Sequence, residues 1–191
     1  MTSKQSKSRY PFTRLPLGRA WCEAIELADG RRFLLRPMQS TDAPTLRRSF
    51  LQLTPDEVRL RFMHPIKELT AQYAAQLTNI DPEREFALVL VEAKPPEEAL
   101  IGAVVRVAVD RDEDQAEFAI IVGGDLKRQK LGRYLLTKAI DWSRKKGIDT
   151  LYGLVLEDNE AMLALARSLG FTRHRSQDDS GVVEVRKRLV H

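Results

Sequence analysis

An α/β (α+β) fold, a single mixed and mostly antiparallel sheet flanked by helices, is what this 191-residue chain predicts, on three observations. Between residues 40 and 80, apolar residues recur three and four apart, as on one face of a helix. From Glu85 the pattern turns to β-branched runs separated by turn residues. Past Gly124, helical and extended segments alternate. The resulting order of hairpin, helices, three-strand meander, helix, strand, helix and two strands fits one sheet with helices packed on it.

Each element has its own signal. Apolar stretches Trp21 to Leu27 and Phe33 to Leu35 flank Asp29-Gly30, a dipeptide suited to the positive φ of a tight hairpin. Ser40 or Thr41 can cap a helix with Leu46, Phe50 and Leu53 on one face. Thr54-Pro55-Asp56-Glu57 joins a capping hydroxyl, a proline at the first helical position and a glutamate three residues on, a strong helix start. Leu69, Tyr73 and Leu77 mark a short amphipathic helix ending near Asn79 and Pro82. Strands Phe86 to Val91 and Leu100 to Val109 are separated by Lys94-Pro95-Pro96, which neither could contain. A third, Gln115 to Val122, follows the charged turn Arg111 to Asp114. Leu131, Leu135 and Ala139 recur by four in a helix that Gly147 ends. Strand Leu151 to Leu156 comes next, and Asp158 or Asn159 caps a last helix that Gly170 closes. Strands Phe171 to Arg175 and Val182 to Leu189 flank the polar turn 176 to 181.

Composition excludes several classes. Cys22 is the sole cysteine, so no intramolecular disulfide forms, and His64, His174 and His191 share no metal-ligand spacing, so no metal is expected. No apolar run approaches the roughly 20 residues that span a bilayer. A cytoplasmic protein without membrane contact is the expectation. Lys4, Lys7, Arg9, Arg14 and Arg19, with no acid among residues 1–19, account for more than the whole formal charge of +4. Residues 20–191 are therefore close to neutral and form one domain. The first 19 residues read as a flexible basic tail, and nucleic acid is not expected as a partner.

The junction after Gln115 to Val122 carries chemistry. A glycine pair, Gly123-Gly124, leads to Lys127-Arg128-Gln129-Lys130-Leu131-Gly132-Arg133 at a helix start. Free backbone N–H groups, the positive end of the helix dipole and four basic side chains suit a pyrophosphate. Here the chain resembles the GNAT superfamily of acetyl-CoA-dependent N-acetyltransferases, over roughly Asp29 to Leu189. In that superfamily the loop reads Gln or Arg, two residues, Gly, one residue, Gly or Ala. Over Lys127 to Gly132, Gly132 matches, Lys127 replaces Gln or Arg, and Lys130 stands where glycine is expected. A second likeness runs from Val155-Leu156-Glu157-Asp158-Asn159 to Leu169-Gly170-Phe171. The resemblance implies a GNAT fold with acetyl-CoA as cosubstrate. It also implies that Ile120 and Val122 border the pantetheine arm, that Lys127, Arg128, Lys130, Gly132 and Arg133 surround the pyrophosphate, and that Asn159 bonds the cofactor or caps its helix, or both. Where many relatives carry a tyrosine that protonates the departing thiolate, this chain has Ala166, so solvent would serve.

Within the superfamily, Arg36-Pro37 with Asp42, Arg59-Leu60-Arg61-Phe62, Asp81 with Arg84-Glu85, and Ala116-Glu117-Phe118-Ala119 resemble the bacterial protein-lysine acetyltransferase domain. That likeness implies a protein substrate with an acceptor lysine; it says nothing of oligomeric state. Glu117 is the expected catalytic base. It lies mid-strand, where a carboxylate costs energy unless used or paired, and a lysine with a reference pKa of about 10.4 must lose a proton before attack. A salt bridge from Glu117 to Arg106 or Arg128 is the structural alternative. Glu83 and Glu85 are weaker candidates for the base. The alternatives in function are a small-molecule amine acetyltransferase and a non-catalytic module that senses coenzyme A or binds a partner.

Overall fold

The computed structural model describes residues 9–111, 114–175 and 181–189. The strands are β1 (Phe12–Pro16), β2 (Glu23–Leu27), β3 (Arg32–Pro37), β4 (Glu85–Glu92), β5 (Ile101–Val109), β6 (Gln115–Val122), β7 (Thr150–Leu156), β8 (Thr172–Arg175) and β9 (Val182–Arg188). The helices are α1 (Ala43–Phe50), α2 (Pro55–Phe62), α3 (Ala71–Thr78), α4 (Leu131–Lys146) and α5 (Glu160–Ser168). The strands form one sheet in the order β1-β2-β3-β4-β5-β6-β7-β9-β8. Every neighbouring pair is antiparallel except β6 and β7. The single mixed, mostly antiparallel sheet is thus as expected.

Helices cover both faces. Leu131, Leu135, Leu136 and Ala139 of α4, with Ala166 of α5, pack on Phe33, Leu88, Val105 and Phe118 of one face. On the other, Leu46 of α1 meets Val89 and Val104, and α1, α2 and α3 share a core of Phe50, Val58 and Ala74. The start of α2 is built as its sequence requires: Glu57 N–H donates to Thr54 Oγ1 at 3.2 Å and Thr54 N–H to Glu57 Oε2 at 2.9 Å. Gly147, at φ 84°, ends α4 in the left-handed region that glycine enters freely.

Two expectations are corrected. The basic tail was expected to run free to residue 19, yet Phe12–Pro16 pair antiparallel with β2 as an edge strand. Phe12 is buried against Tyr134, ring centroids 5.4 Å apart, and Arg14 donates to the Tyr134 hydroxyl at 2.9 Å. Burial of one aromatic ring and a cation over another anchors a segment whose composition reads as solvated. At α1, neither Ser40 nor Thr41 is the cap. Residues Ser40–Asp42 form a 3-10 turn and Asp42 precedes Ala43, because the Asp42 carboxylate takes two bonds from Arg36, at 2.7 and 2.8 Å, and one from Gln39 N–H at 2.8 Å. Most of the turn expected over 176 to 181 lies outside the described residues.

Candidate active site

The parallel register of β6 and β7 holds for three pairs only, Gln115 with Thr150, Ala116 with Leu151 and Glu117 with Tyr152. Beyond Glu117 the strands part. The Phe118 ring occupies the space beside Gly153: a Cβ on Gly153 would lie 2.5 Å from it. Phe118 also meets the edge of Phe171, with centroids 5.3 Å apart. Past this wedge β6 keeps β5 as its strand partner as far as Val122, so its other backbone edge borders a cleft of about 610 Å³. Unpaired strand-edge amides are ready to bond an amide-bearing ligand laid along them.

At the far end of β6, Gly123 N–H bonds Gly102 O at 2.8 Å and a 3-10 turn over Gly124–Leu126 carries the chain toward α4. Arg128 and Lys130 both adopt left-handed backbone, at φ 66° and 59°. Lys130 therefore keeps the backbone shape that a glycine would take there, at a strain of about 1 kcal/mol. No side chain among the described residues caps α4. The N–H groups of Leu131, Gly132 and Arg133 thus precede the first intrahelical donor, Tyr134, which bonds Lys130 O at 3.1 Å. Gly132 lies where a Cβ would stand 3.4 Å from Leu165 and 3.9 Å from Val122, so the helix start sits close against the cleft wall.

Glu117 opens on the same cleft from the face of the sheet that α1 to α3 cover. It lies in a row across the strands with Glu85, Ala108, Tyr152 and Arg186. Burial pushes its carboxyl above the usual carboxylate range; the Arg61 guanidinium pulls the other way, and Asp110 and Glu184 add to the rise. Arg61 reaches in from the last turn of α2, its guanidinium 4.9 Å from the Phe62 ring centroid, and burial holds its own pKa down. The Tyr152 hydroxyl sits 3.2 Å from both oxygens of Asp110, and burial with the nearby carboxylates pushes it up to about 12. The structural alternative for Glu117 fails at Arg106, whose guanidinium is committed to Glu85 at 2.8 Å and to Leu77 O at 2.5 Å. That pairing also occupies Glu85. Glu83 is an exposed residue 3.8 Å from Lys146.

Of the residues expected at the site, Glu117, Ile120, Val122, Lys127, Arg128, Gly132 and Asn159 line the cleft, while Lys130 and Arg133 lie outside its wall. Arg133 instead donates to Ser168 Oγ on α5 at 2.5 Å. Asn159 caps α5, its Oδ1 accepting from Met162 N–H at 3.1 Å, and still borders the cleft. Lys127 is ion-paired with Glu57 at 3.1 Å. Ala166 is fully buried. Glu57, Arg61, His64 and Tyr73 also line the cleft, and none was singled out for it in the sequence. His64 is exposed there. The Arg59-Leu60-Arg61-Phe62 run was the available signal for Arg61.

The acetyltransferase (GNAT) domain family matches residues 32–172. The chain belongs to this family. It is similar to "Acetyltransferase PA5475" of Pseudomonas aeruginosa, 31% identical over 94% of this chain and 95% of that protein. It is also similar to the [ribosomal protein bS18]-alanine N-acetyltransferase of Escherichia coli, 42% identical over 69 residues, which are 36% of this chain and 45% of that one. Among solved structures, the GNAT domain of S. lividans PAT superposes with a TM-score of 0.77 at 24% identity, covering 92% of this chain and 99% of that one. The protein is thus a GNAT N-acetyltransferase, and enzymes of this family use acetyl-CoA. Its residues fit that cosubstrate: an open strand edge faces the cleft, and an uncapped helix start with left-handed approach residues stands at the end of that edge.

Proposed function

We propose that this GNAT enzyme acetylates lysine side chains of a protein substrate by direct transfer in a ternary complex, with Glu117 as the general base. The observation that carries the reading is the placement of Glu117: a half-buried carboxylate, raised by burial, facing the cleft at the last paired position of β6 and β7. When bound, acetyl-CoA supplies a thioester carbon open to attack by an amine. The backbone of β6 around Ile120 and Val122 would hold the pantetheine amides. The N–H groups of Leu131 to Arg133, with the Arg128 side chain at the cleft wall, would hold the pyrophosphate.

A lysine enters as an ammonium with a pKa of about 10.4. Three carboxylates, Asp110, Glu117 and Glu184, stand against two guanidiniums, Arg61 beside Glu117 and Arg186 paired with Glu184, and the one negative charge left over favours a cationic amine over a neutral one. Glu117, made more basic by its burial, takes the ammonium proton directly or through water. Buried Ala166 has no proton to give the leaving sulfur, so water in the open cleft does this.

The test is acetylation of intact proteins and of a panel of small amines, read by mass spectrometry. Protein lysine modification with no turnover of polyamines is the expected outcome; turnover of small amines alone would overturn the reading. A second reading, acetylation of a protein α-amine, draws support from the 42% identity over 69 residues to an enzyme named for an alanine N-terminus. Peptides with a blocked or free N-terminus, assayed in parallel, separate the two.

A further inference from the structure

Beside the cleft, on the α1 to α3 side of the sheet, lies a second cavity of about 70 Å³. Its walls include Leu46, Phe50, Leu53, Leu69 and Leu77. Arg61, Phe62 and Ile121 belong to both cavities, so the two share a wall. We infer that this pocket receives the acyl chain of a coenzyme A thioester longer than acetyl, with an uncharged chain of about four carbons. The inference rests on the acyl-transfer reading above and extends it from acetyl to a wider class of donors.

Three observations support that occupant. Ile121 lies on the same face of β6 as Glu117, two pleats further along, so the wall that the two cavities share continues the face that carries the proposed base. The polar members are already satisfied: Ser49 Oγ donates to Thr45 O at 2.7 Å and accepts from Ile101 N–H at 2.8 Å, and Arg106 is held by Leu77 O and Glu85. Only the shared Arg61, at the lip, carries a charge without an ion-pair partner among the described residues. An interior without free polar groups holds water poorly and takes an apolar guest. At about 30 Å³ for each water-sized group, the volume of about 70 Å³ is room for about two such groups, the number of methylenes by which butyryl exceeds acetyl.

The reaction is unchanged in its balance. The ammonium gives one proton to Glu117, the freed amine nitrogen forms a bond to the acyl carbon and passes a second proton to water, the carbon–sulfur bond breaks with its pair on sulfur, and water delivers a proton to that sulfur, so that one proton leaves to solvent through Glu117.

Calorimetric titration with acetyl-CoA, butyryl-CoA and free CoA tests the inference without turnover. Each added methylene buried is worth about fourfold in affinity, so butyryl-CoA should bind on the order of tenfold tighter than acetyl-CoA. Leu46→Phe, which fills the pocket from α1 and lies outside the cleft wall, should abolish that gain while leaving acetyl-CoA affinity unchanged. Leu53→Phe is a second filling variant should the first fail to fold. Acetyl-CoA binding with no gain for butyryl-CoA would overturn the pocket alone, as would a gain that survives both fillings. Succinyl-CoA binding more tightly than butyryl-CoA would overturn the uncharged chain and give the pocket lip to Arg61. Failure of every CoA ester to bind would overturn the acetyltransferase reading itself.

Discussion

Glu57 Oε1 lies 3.1 Å from Lys127 Nζ, so the first turn of α2 is fastened to the loop that enters α4. The same carboxylate closes the capping box with Thr54. One buried side chain therefore fixes both the helix that brings Arg61 to the cleft and the loop at its other end.

Replacing Glu57 by alanine removes both attachments, and the expected loss is about 1–2 kcal/mol, or roughly 2–8 °C in Tm for a chain of this size. Burial works against the Glu57 carboxylate, yet the Thr54 N–H and Lys127 outweigh it and hold its pKa below the usual 4.5. With the folded value depressed, its contribution is present above the unfolded pKa and is lost as pH falls through the folded one. Thermal melts should show the gap between wild type and Glu57→Ala closing in acid.

Glu117→Gln should lower kcat/KM by about 10²–10⁴-fold, the range for a lost general base, with acetyl-CoA affinity unchanged in calorimetry. The folded pKa of Glu117 is raised, so its ionisation above that value weakens the fold. The variant should therefore melt higher at neutral pH, by on the order of 2 °C. A variant that loses stability and activity together would make Glu117 a structural residue.

Arg61 faces Glu117 from α2, across from Asp110 after β5, Tyr152 on β7 and Glu184 on β9. Of the charges acting on Glu117, Arg61 lowers its pKa and the two carboxylates raise it. Arg61→Leu should move the acidic limb of the kcat/KM profile to higher pH, and Arg61→Lys should restore part of the shift. An unmoved limb in both variants would assign Arg61 to packing.

Lys130→Gly should raise stability by about 1 kcal/mol, by relieving a left-handed backbone that glycine adopts without strain. Because the loop already has that shape, acetyl-CoA affinity should stay within about threefold, equivalent to about 0.6 kcal/mol. A gain of tenfold or more would mean that the lysine side chain, rather than the backbone, limits the site.

The sequence makes some of this architecture plain and hides the rest for physical reasons. Thr54-Pro55-Asp56-Glu57 writes the start of α2 because every partner in a capping box is local. β6 begins and ends where its run of β-branched and apolar residues does, at Gln115 and Val122, and the two-residue period puts Glu117 on one face with Ala119 and Ile121. β1 was missed because only Phe12 of its five residues is buried, so no alternation marks it. The partners that tune Glu117 come from α2, the end of β5 and β9, and the Glu57–Lys127 pair joins segments far apart in the chain. Such meetings are fixed by packing, and no spacing encodes them.

The wedge of Phe118 against Gly153 has a further consequence. A bare strand edge is ordinarily a template for association, since another chain can add a strand to it and grow an aggregate. Here the bare edge of β6 lies inside the sheet, with β7 parting from it beyond Glu117. A slender, extended molecule can slide into that fork, whereas a second protein's sheet is turned away by the walls on either side. The chain thus carries an unpaired edge within a cleft and not along the rim of its sheet.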